Sequence, residues 1–385
     1  MAASAAVGAV AMFPGAALGQ GGVLGIRNAE YGLKVNGPIS GHGLCSEAMI
    51  GDWNGDGIDD FAFGACHEHN DRGAVYVVFG GRHLGDNSSP PEVNLDGLVS
   101  RGEGTVILGP EDGSLFGFSL ASAPHYGNPC LYQGNQTCGK PDLVVGAPGG
   151  VTGKDVFGNP SGPPGAVWLV HGAARGRTVN LADGMSALAT GALQIREARD
   201  PNARVPDGFG VSVASSPSMS GGDTTSELIV ADWSDKVAVV LGAPLITAPA
   251  PAPGQAGRFS YSYPEACTCG KAVNADGDPV DHVKSFQVLP PPPFAVDNPP
   301  GTTDSSSGSW FASVAGGGDF NRDGVPDVAI GLPNMFALGP DRGAAFVVEH
   351  DRVEDQRRSR ASSDRFVSIP RCDQVRRFRI IYLGR

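Results

Sequence analysis

The sequence predicts an all-β fold of short antiparallel strands gathered into tandem four-stranded units, and three observations carry that expectation. The chain has 385 residues with 57 Gly, 31 Pro and 7% aromatics, a composition of many turns and short strands rather than long helices. A pattern of strand, hairpin turn, strand ending near Gly-Ala, and apolar strand recurs four times between about residues 30 and 350. An acidic loop, D-x-N-x-D-G-x-x-D, stands inside two of these copies, 267 residues apart.

The first unit spans about 30–80. Its first strand starts at Gly43-Leu44-Cys45-Ser46-Glu47-Ala48, its second ends at Gly64-Ala65-Cys66, and its third is Gly73 to Phe79. The second unit, about 105–171, starts at Phe116-Gly117-Phe118-Ser119-Leu120-Ala121, ends its second strand at Gly146-Ala147-Pro148, and runs its third from Gly165 to Val170. It carries an insert, Pro124 to Lys140, in place of the acidic loop and keeps only Asp142 at the loop's last position. The third unit, about 193–243, has Phe209-Gly210-Val211-Ser212-Val213-Ala214, then Glu227 to Asp232, then Lys236 to Val240; residues 218–223 are too poor in oxygen ligands for a cage. Pro-rich stretches at 244–264 and 290–303 read as long loops of this unit. The fourth unit, about 286–349, has Trp310-Phe311-Ala312-Ser313-Val314-Ala315, Gly331-Leu332-Pro333 and Gly343 to Val348. Outer strands are expected at Gly32–Gly37, Thr105–Gly109, Leu193–Ile195 and Phe286–Leu289. Four short antiparallel strands per unit, in tandem, is the logic of a β-propeller blade: one sheet cannot cover its own faces, and radial packing buries them and protects the edges. The blade count beyond these four units stays open.

The acidic loops carry the chemistry. Asp52, Asn54, Asp56 and Asp60 offer side-chain oxygens at positions 1, 3, 5 and 9, with the Ile58 backbone carbonyl at position 7. Asp319, Asn321, Asp323, Asp327 and the Val325 carbonyl repeat the set. An all-oxygen cage suits calcium, which takes about 6–8 such ligands; magnesium, which demands a stricter octahedron, is the second choice. An EF-hand is excluded, because position 12 is Phe63 in one copy and Ile330 in the other where that motif needs a bidentate Glu. The flanks read as strands, so each loop is expected at the tip of a β-hairpin, with Gly57 and Gly324 at positive φ. The bland alternative is an Asp/Asn/Gly turn without an ion, disfavoured because so many acidic groups in one turn repel each other.

Net charge is −12, unevenly spread: residues 351–385 hold ten Arg against five Asp/Glu, a net +5, which leaves −17 on the rest. An acidic body argues against a nucleic-acid partner and fits a calcium-loaded protein. The Arg-rich tail is expected to be disordered, with Phe366-Val367-Ser368-Ile369 its one strand-like run. Residues 1–19 read as a secretory signal ending Ala17-Leu18-Gly19, although no basic residue precedes the apolar stretch. Secretion or display at the cell surface follows. Cys45 with Cys66, and Cys130 with Cys138, are candidate disulfides; Asn87 and Asn135 open glycosylation sequons. No G-x-S-x-G or H-E-x-x-H is present, so no catalytic residue is assigned. His67-Glu68-His69, whose two histidines would share a face if the run were a strand, is the one suggestive cluster, and an exposed loop is its commoner meaning.

The Phe-Gly starts, the D-x-N-x-D-G-x-x-D hairpins and the Gly-Ala-Pro end resemble FG-GAP repeats, which build the propeller head of integrin α subunits and occur in bacterial and algal surface proteins and in glycosylphosphatidylinositol-specific phospholipase D. The resemblance covers roughly residues 30–350. It implies a propeller whose hairpin loops hold calcium through the ten residues above. It further implies an extracellular module for adhesion or ligand binding, with a protein or glycan ligand on its loop face and room for a partner subunit. The alternatives it leaves are the propeller portion of a secreted, phospholipase D-like hydrolase, or a carbohydrate-binding propeller.

Overall fold

The computed structural model describes residues 33–38, 43–81, 84, 92–124, 140–150, 153–154, 160–172, 177–182, 192–197, 208–217, 226–233, 237–242, 257–261, 269–270, 273–274, 283–289, 313–332, 344–351, 366–370 and 375–382. The expected signal at 1–19, Asn87, Asn135, Cys130, Cys138, the insert 125–139, the stretch 290–303 and Trp310-Phe311 lie outside the described residues.

The chain is all-β, with almost no helix among the described residues. Strand β1 (Lys34–Asn36) precedes β2 (Ser46–Gly51), β3 (Asp60–Ala65), a one-turn helix α1 (Glu68–Asp71), β4 (Ala74–Val78), β5 (Glu92–Asn94) and β6 (Gly104–Leu108). Next come β7 (Ser119–Ala123), β8 (Asp142–Ala147), β9 (Gly153–Lys154), β10 (Pro160–Ser161), β11 (Ala166–His171), β12 (Thr178–Asn180) and β13 (Leu193–Glu197). The third group is β14 (Ser212–Ser216), β15 (Glu227–Ala231), β16 (Val237–Gly242), β17 (Gly257–Tyr261), β18 (Cys269–Gly270), β19 (Val273–Asn274) and β20 (Val283–Leu289). The last is β21 (Ser313–Gly318), β22 (Asp327–Leu332), β23 (Ala344–Asp351), β24 (Phe366–Pro370) and β25 (Val375–Tyr382).

Four main sheets result, and each contains one antiparallel run of four: β2-β3-β4-β6, β7-β8-β11-β13, β14-β15-β16-β20 and β21-β22-β23-β25. Extra strands extend their outer edges, among them β12, parallel to β6, and β17, parallel to β13. The first strands lie side by side, β7 against both β2 and β14, and β14 against β21. Three apolar cores fill the spaces between successive sheets. Phe116 and Trp168 meet edge to face in the first of these, ring centroids 6.4 Å apart. No closed ring or barrel is formed among the described residues.

The repeat motif has a steric cause. Gly117 and Gly210 follow the buried Phe116 and Phe209 and take φ of 89° and 96°, a region that favours glycine. Their carbonyls face the preceding sheet, where they accept from Ser46 Oγ (2.7 Å) and Ser119 Oγ (2.8 Å). A Cβ on Gly64 would collide with the Gly117 carbonyl, and one on Gly146 with the Gly210 carbonyl. The Phe-Gly of one unit and the Gly-Ala of the unit before it are therefore two halves of one contact. Gly146→Ala is expected to destabilise the protein by about 2 kcal/mol, because the clash is with backbone that cannot swing aside. Chemical denaturation checks it, and a cost below about 0.5 kcal/mol contradicts the contact.

Three expectations need correction. Strand β1 is not an outer strand of the first sheet; it pairs in parallel with β5. Its Val35 is buried against Phe63, Tyr76 and Val78 on that sheet's open face, with Lys34 bridging to Glu92 at 2.9 Å. The run 244–264 is not all loop, because 257–261, with two aromatics, pairs with β13. The tail is not wholly disordered: β25 supplies the fourth strand of the last sheet and β24 pairs with it, so the Arg-rich run 375–382 serves as a strand. The strand at 104–108, which opens the second sequence unit, pairs with β4 and belongs to the first sheet. Sheets and sequence repeats are thus offset by one strand.

Candidate metal loops

Both acidic loops sit at the tip joining the first and second strands of their sheets, β2 to β3 and β21 to β22. Each hairpin shows an irregular register just before its loop, between Met49 and Gly51 and between Gly316 and Gly318. Gly57 and Gly324 adopt φ of 89° and 82°. Gly55 and Arg322 also take positive φ, 82° and 61°, so position 4 needs the left-handed conformation in both copies.

Within each loop the side chains fold inward onto backbone N–H groups. In the first, Asp52 accepts from the Gly55, Asp56 and Gly57 amides at 2.6, 2.9 and 2.9 Å. Asn54 Oδ1 accepts from Asp56 N at 2.8 Å, and Asp56 Oδ1 from Ile58 N at 3.0 Å. The Asn54 amide donates to Asp56 at 3.1 Å and Asp60 at 3.3 Å, drawing three of the expected ligands together. The second loop repeats most of this set. Asp319 accepts from Asp323 N (3.1 Å) and Gly324 N (2.9 Å), Asn321 from Asp323 N (2.9 Å), and Asp323 from Val325 N (2.8 Å), while the Asn321 amide reaches Asp323 at 3.2 Å. The last aspartates turn to the loop entrance, Asp60 to Asn54 N at 3.0 Å and Asp327 to Phe320 N at 2.7 Å.

Asp60 is fully buried. Burial pushes its carboxyl up to about 6, and the Asp56 and Asp52 charges push the same way; N–H donation from Gly80 and Asn54 opposes them. A carboxylate set in this position needs a counter-charge. The donor set is oxygen alone, which fits a hard divalent cation, and Asp52, Asn54, Asp56 and Asp60, with Asp319, Asn321, Asp323 and Asp327, are the side chains that would hold it.

Neighbouring elements brace the first loop in ways the sequence did not reveal. Trp53 is buried and its indole donates to the Val170 carbonyl of the second sheet at 3.3 Å. Lys140 donates to the Asn54 carbonyl at 2.7 Å. In the fourth sheet the equivalent of Trp53 is Phe320, which is 58% exposed.

A disulfide joins Cys45 to Cys66, tying the start of β2 to the end of β3 at the end of the hairpin opposite the loop, with Cα atoms 5.9 Å apart. His67 lies near these sulfurs, but a disulfide presents no thiolate, so the trio makes no metal site in this state. The His67-Glu68-His69 run is a turn rather than a strand, with His69 and Asn70 left-handed. His67 pairs with Asp71 at 2.8 Å, and buried Glu68 accepts from Tyr76 Oη at 2.7 Å, so the two histidines do not converge with Glu68 as a ligand set.

Among the described residues no helix is long and apolar enough to cross a membrane. No family model and no curated protein matches the chain.

Proposed function

We propose that the chain is an extracellular calcium-binding β-propeller module of the FG-GAP type, resembling the head of integrin α subunits, which binds a protein or glycan ligand through its loops. The observation that carries the reading is the common hydrogen-bond set of the two acidic loops, each at the same hairpin of its sheet. Four consecutive four-stranded meanders, first strands side by side and cores between successive sheets, support the propeller geometry. The Cys45–Cys66 disulfide favours an oxidising compartment, hence secretion or surface display. In this reading the ions are structural. They fix two hairpins so that the loops on that rim form a rigid binding surface.

Scanning calorimetry with and without chelator tests it. Calcium that binds the folded state alone stabilises it by about 2.7 kcal/mol per site at a hundredfold excess over Kd. The melting temperature is expected to fall by several degrees on chelation and to recover with calcium but not with an equal concentration of magnesium. A melting temperature indifferent to chelator removes the proposal. A phosphodiesterase assay and a glycan array on the purified chain separate the hydrolase and carbohydrate-binding alternatives from adhesion.

A further inference from the structure

The two outer faces of the array differ. On the first sheet the outer face is closed: Val35 of β1, with Val93, Leu95 and Leu98 at and after β5, buries Phe63 and Tyr76. Gly43-Leu44 stands there in place of the Phe116-Gly117 and Phe209-Gly210 that open the next two sheets, and Leu44 packs on the same cluster. The outer face of the fourth sheet is open along β21 and β22. Two residues into the second strand, Ala62, Val144 and Ile229 are 0% exposed in the first three sheets, whereas Ala329 is exposed. At one position of the third strand Val75, Val167 and Val237 are 2% exposed or less, and their counterpart Ala345 is exposed. Farther along β23, Val347 is buried, so the opening is confined to β21, β22 and the start of β23. Trp53 is buried against the second sheet, and its counterpart Phe320 is exposed.

The socket that joins successive sheets is present on this open face. The Gly117 carbonyl of the second sheet accepts from Ser46 and lies where a Cβ of Gly64 would stand; the Gly210 carbonyl of the third does the same with Ser119 and Gly146. Ser313 and Gly331 repeat the serine-glycine pair across β21 and β22, and a Cβ on Gly331 would meet only Ser313 among the described residues. A face that met water alone would need neither this glycine nor an aromatic at 320. We infer that the open face of the fourth sheet docks a β-sheet of a partner protein whose first strand begins with an aromatic-glycine turn. The sheet-to-sheet contact made twice inside the array continues there across two chains. The turn's carbonyl accepts from Ser313 Oγ, the partner's sheet covers Ala329 and Ala345, and the end of its third strand covers Phe320, as the end of β11 covers Trp53. An exposed aromatic beside small residues that admit close backbone approach suits such packing. A second copy of this chain does not fit, because its first sheet is closed and its Phe116 and Phe209 are buried in their own cores. The surface goes beyond the loop rim and does not rest on the calcium reading.

Methyl NMR of the full chain, 13C-labelled at alanine, tests this in a titration to millimolar concentration with a synthetic peptide of residues 115–123, Leu-Phe-Gly-Phe-Ser-Leu-Ala-Ser-Ala. The Ala329 and Ala345 methyl signals are expected to shift and to saturate. Gly331→Ala in the protein, or Gly117→Val in the peptide, should weaken binding by about tenfold or more, since each fills the space the contact needs. In the free chain Gly331→Ala should leave the denaturation midpoint unchanged, because only the Ser313 hydroxyl has to turn aside, whereas Gly146→Ala lowers it. Absence of shifts at the two methyls, or shifts that survive both substitutions, overturns the inference. A midpoint lowered in Gly331→Ala as in Gly146→Ala, or failure of that variant to fold, shows the face already filled and overturns it too. Self-association of the full chain that Gly331→Ala abolishes would give the face to a second copy and likewise overturn the assignment.

Discussion

Replacing Trp53 with alanine is expected to destabilise the protein by about 4 kcal/mol, the largest single-site effect predicted for the first hairpin. The residue belongs to the acidic loop of the first sheet, yet its side chain is fully buried in the core between the first and second sheets. Truncation removes that packing, opens a cavity between two sheets and abandons the indole bond to Val170. Trp53→Phe keeps most of the volume and loses only that bond, so about 1 kcal/mol is expected. Denaturant unfolding followed by circular dichroism distinguishes the two. Equal costs for both variants would show that packing is not what the tryptophan contributes. Because the loop backbone is anchored by this side chain, W53A should also weaken calcium at that hairpin and leave the other unaffected.

If the first loop holds calcium as proposed, acidification through pH 6 is expected to release it, with affinity falling about tenfold per pH unit below 6. The cause is Asp60, whose burial holds its proton up to about 6, so that the cation must displace that proton. Metal-free protein should respond with the opposite sign. Between the ordinary carboxylate value of 3.8 and about 6, the folded state keeps a proton that the unfolded chain has released. Stability of the metal-free protein therefore falls as pH rises across that window, by up to roughly 3 kcal/mol, and is level above it. Asp60→Asn removes both responses. Melting curves at pH 4, 5, 6 and 7, with and without calcium, check the pair of signs. A metal-free stability that instead rises from pH 4 to 6 in a manner abolished by D60N contradicts the assignment.

Much of this was legible in the sequence because the constraints are local. An Asp or Asn side chain that caps amides two to five residues ahead, with a glycine at positive φ, writes itself as D-x-N-x-D-G, and both copies could be found by spacing alone. The Phe-Gly and Gly-Ala pairs were legible too, since only glycine leaves room for the facing carbonyl. What escaped was non-local. The packing of Trp53 leaves no local signal at position 2 of its loop, because its partner Val170 is 117 residues away. The strand at 375–382 was hidden by Arg at positions 376, 377 and 379, which read as a solvated tail until β23 supplied a partner. The one-strand offset between repeats and sheets was invisible for a similar reason: the motif marks where consecutive sheets touch, and β6 forms its bonds with the sheet before it.

Isothermal titration of the metal-free full chain with calcium at pH 7 tests the central claim most directly. The account predicts saturation at two ions per chain, falling to one in Asp56→Ala, to one in Asp323→Ala, and to none in the double variant. Absence of saturable heat, or a stoichiometry that survives both substitutions, would contradict it.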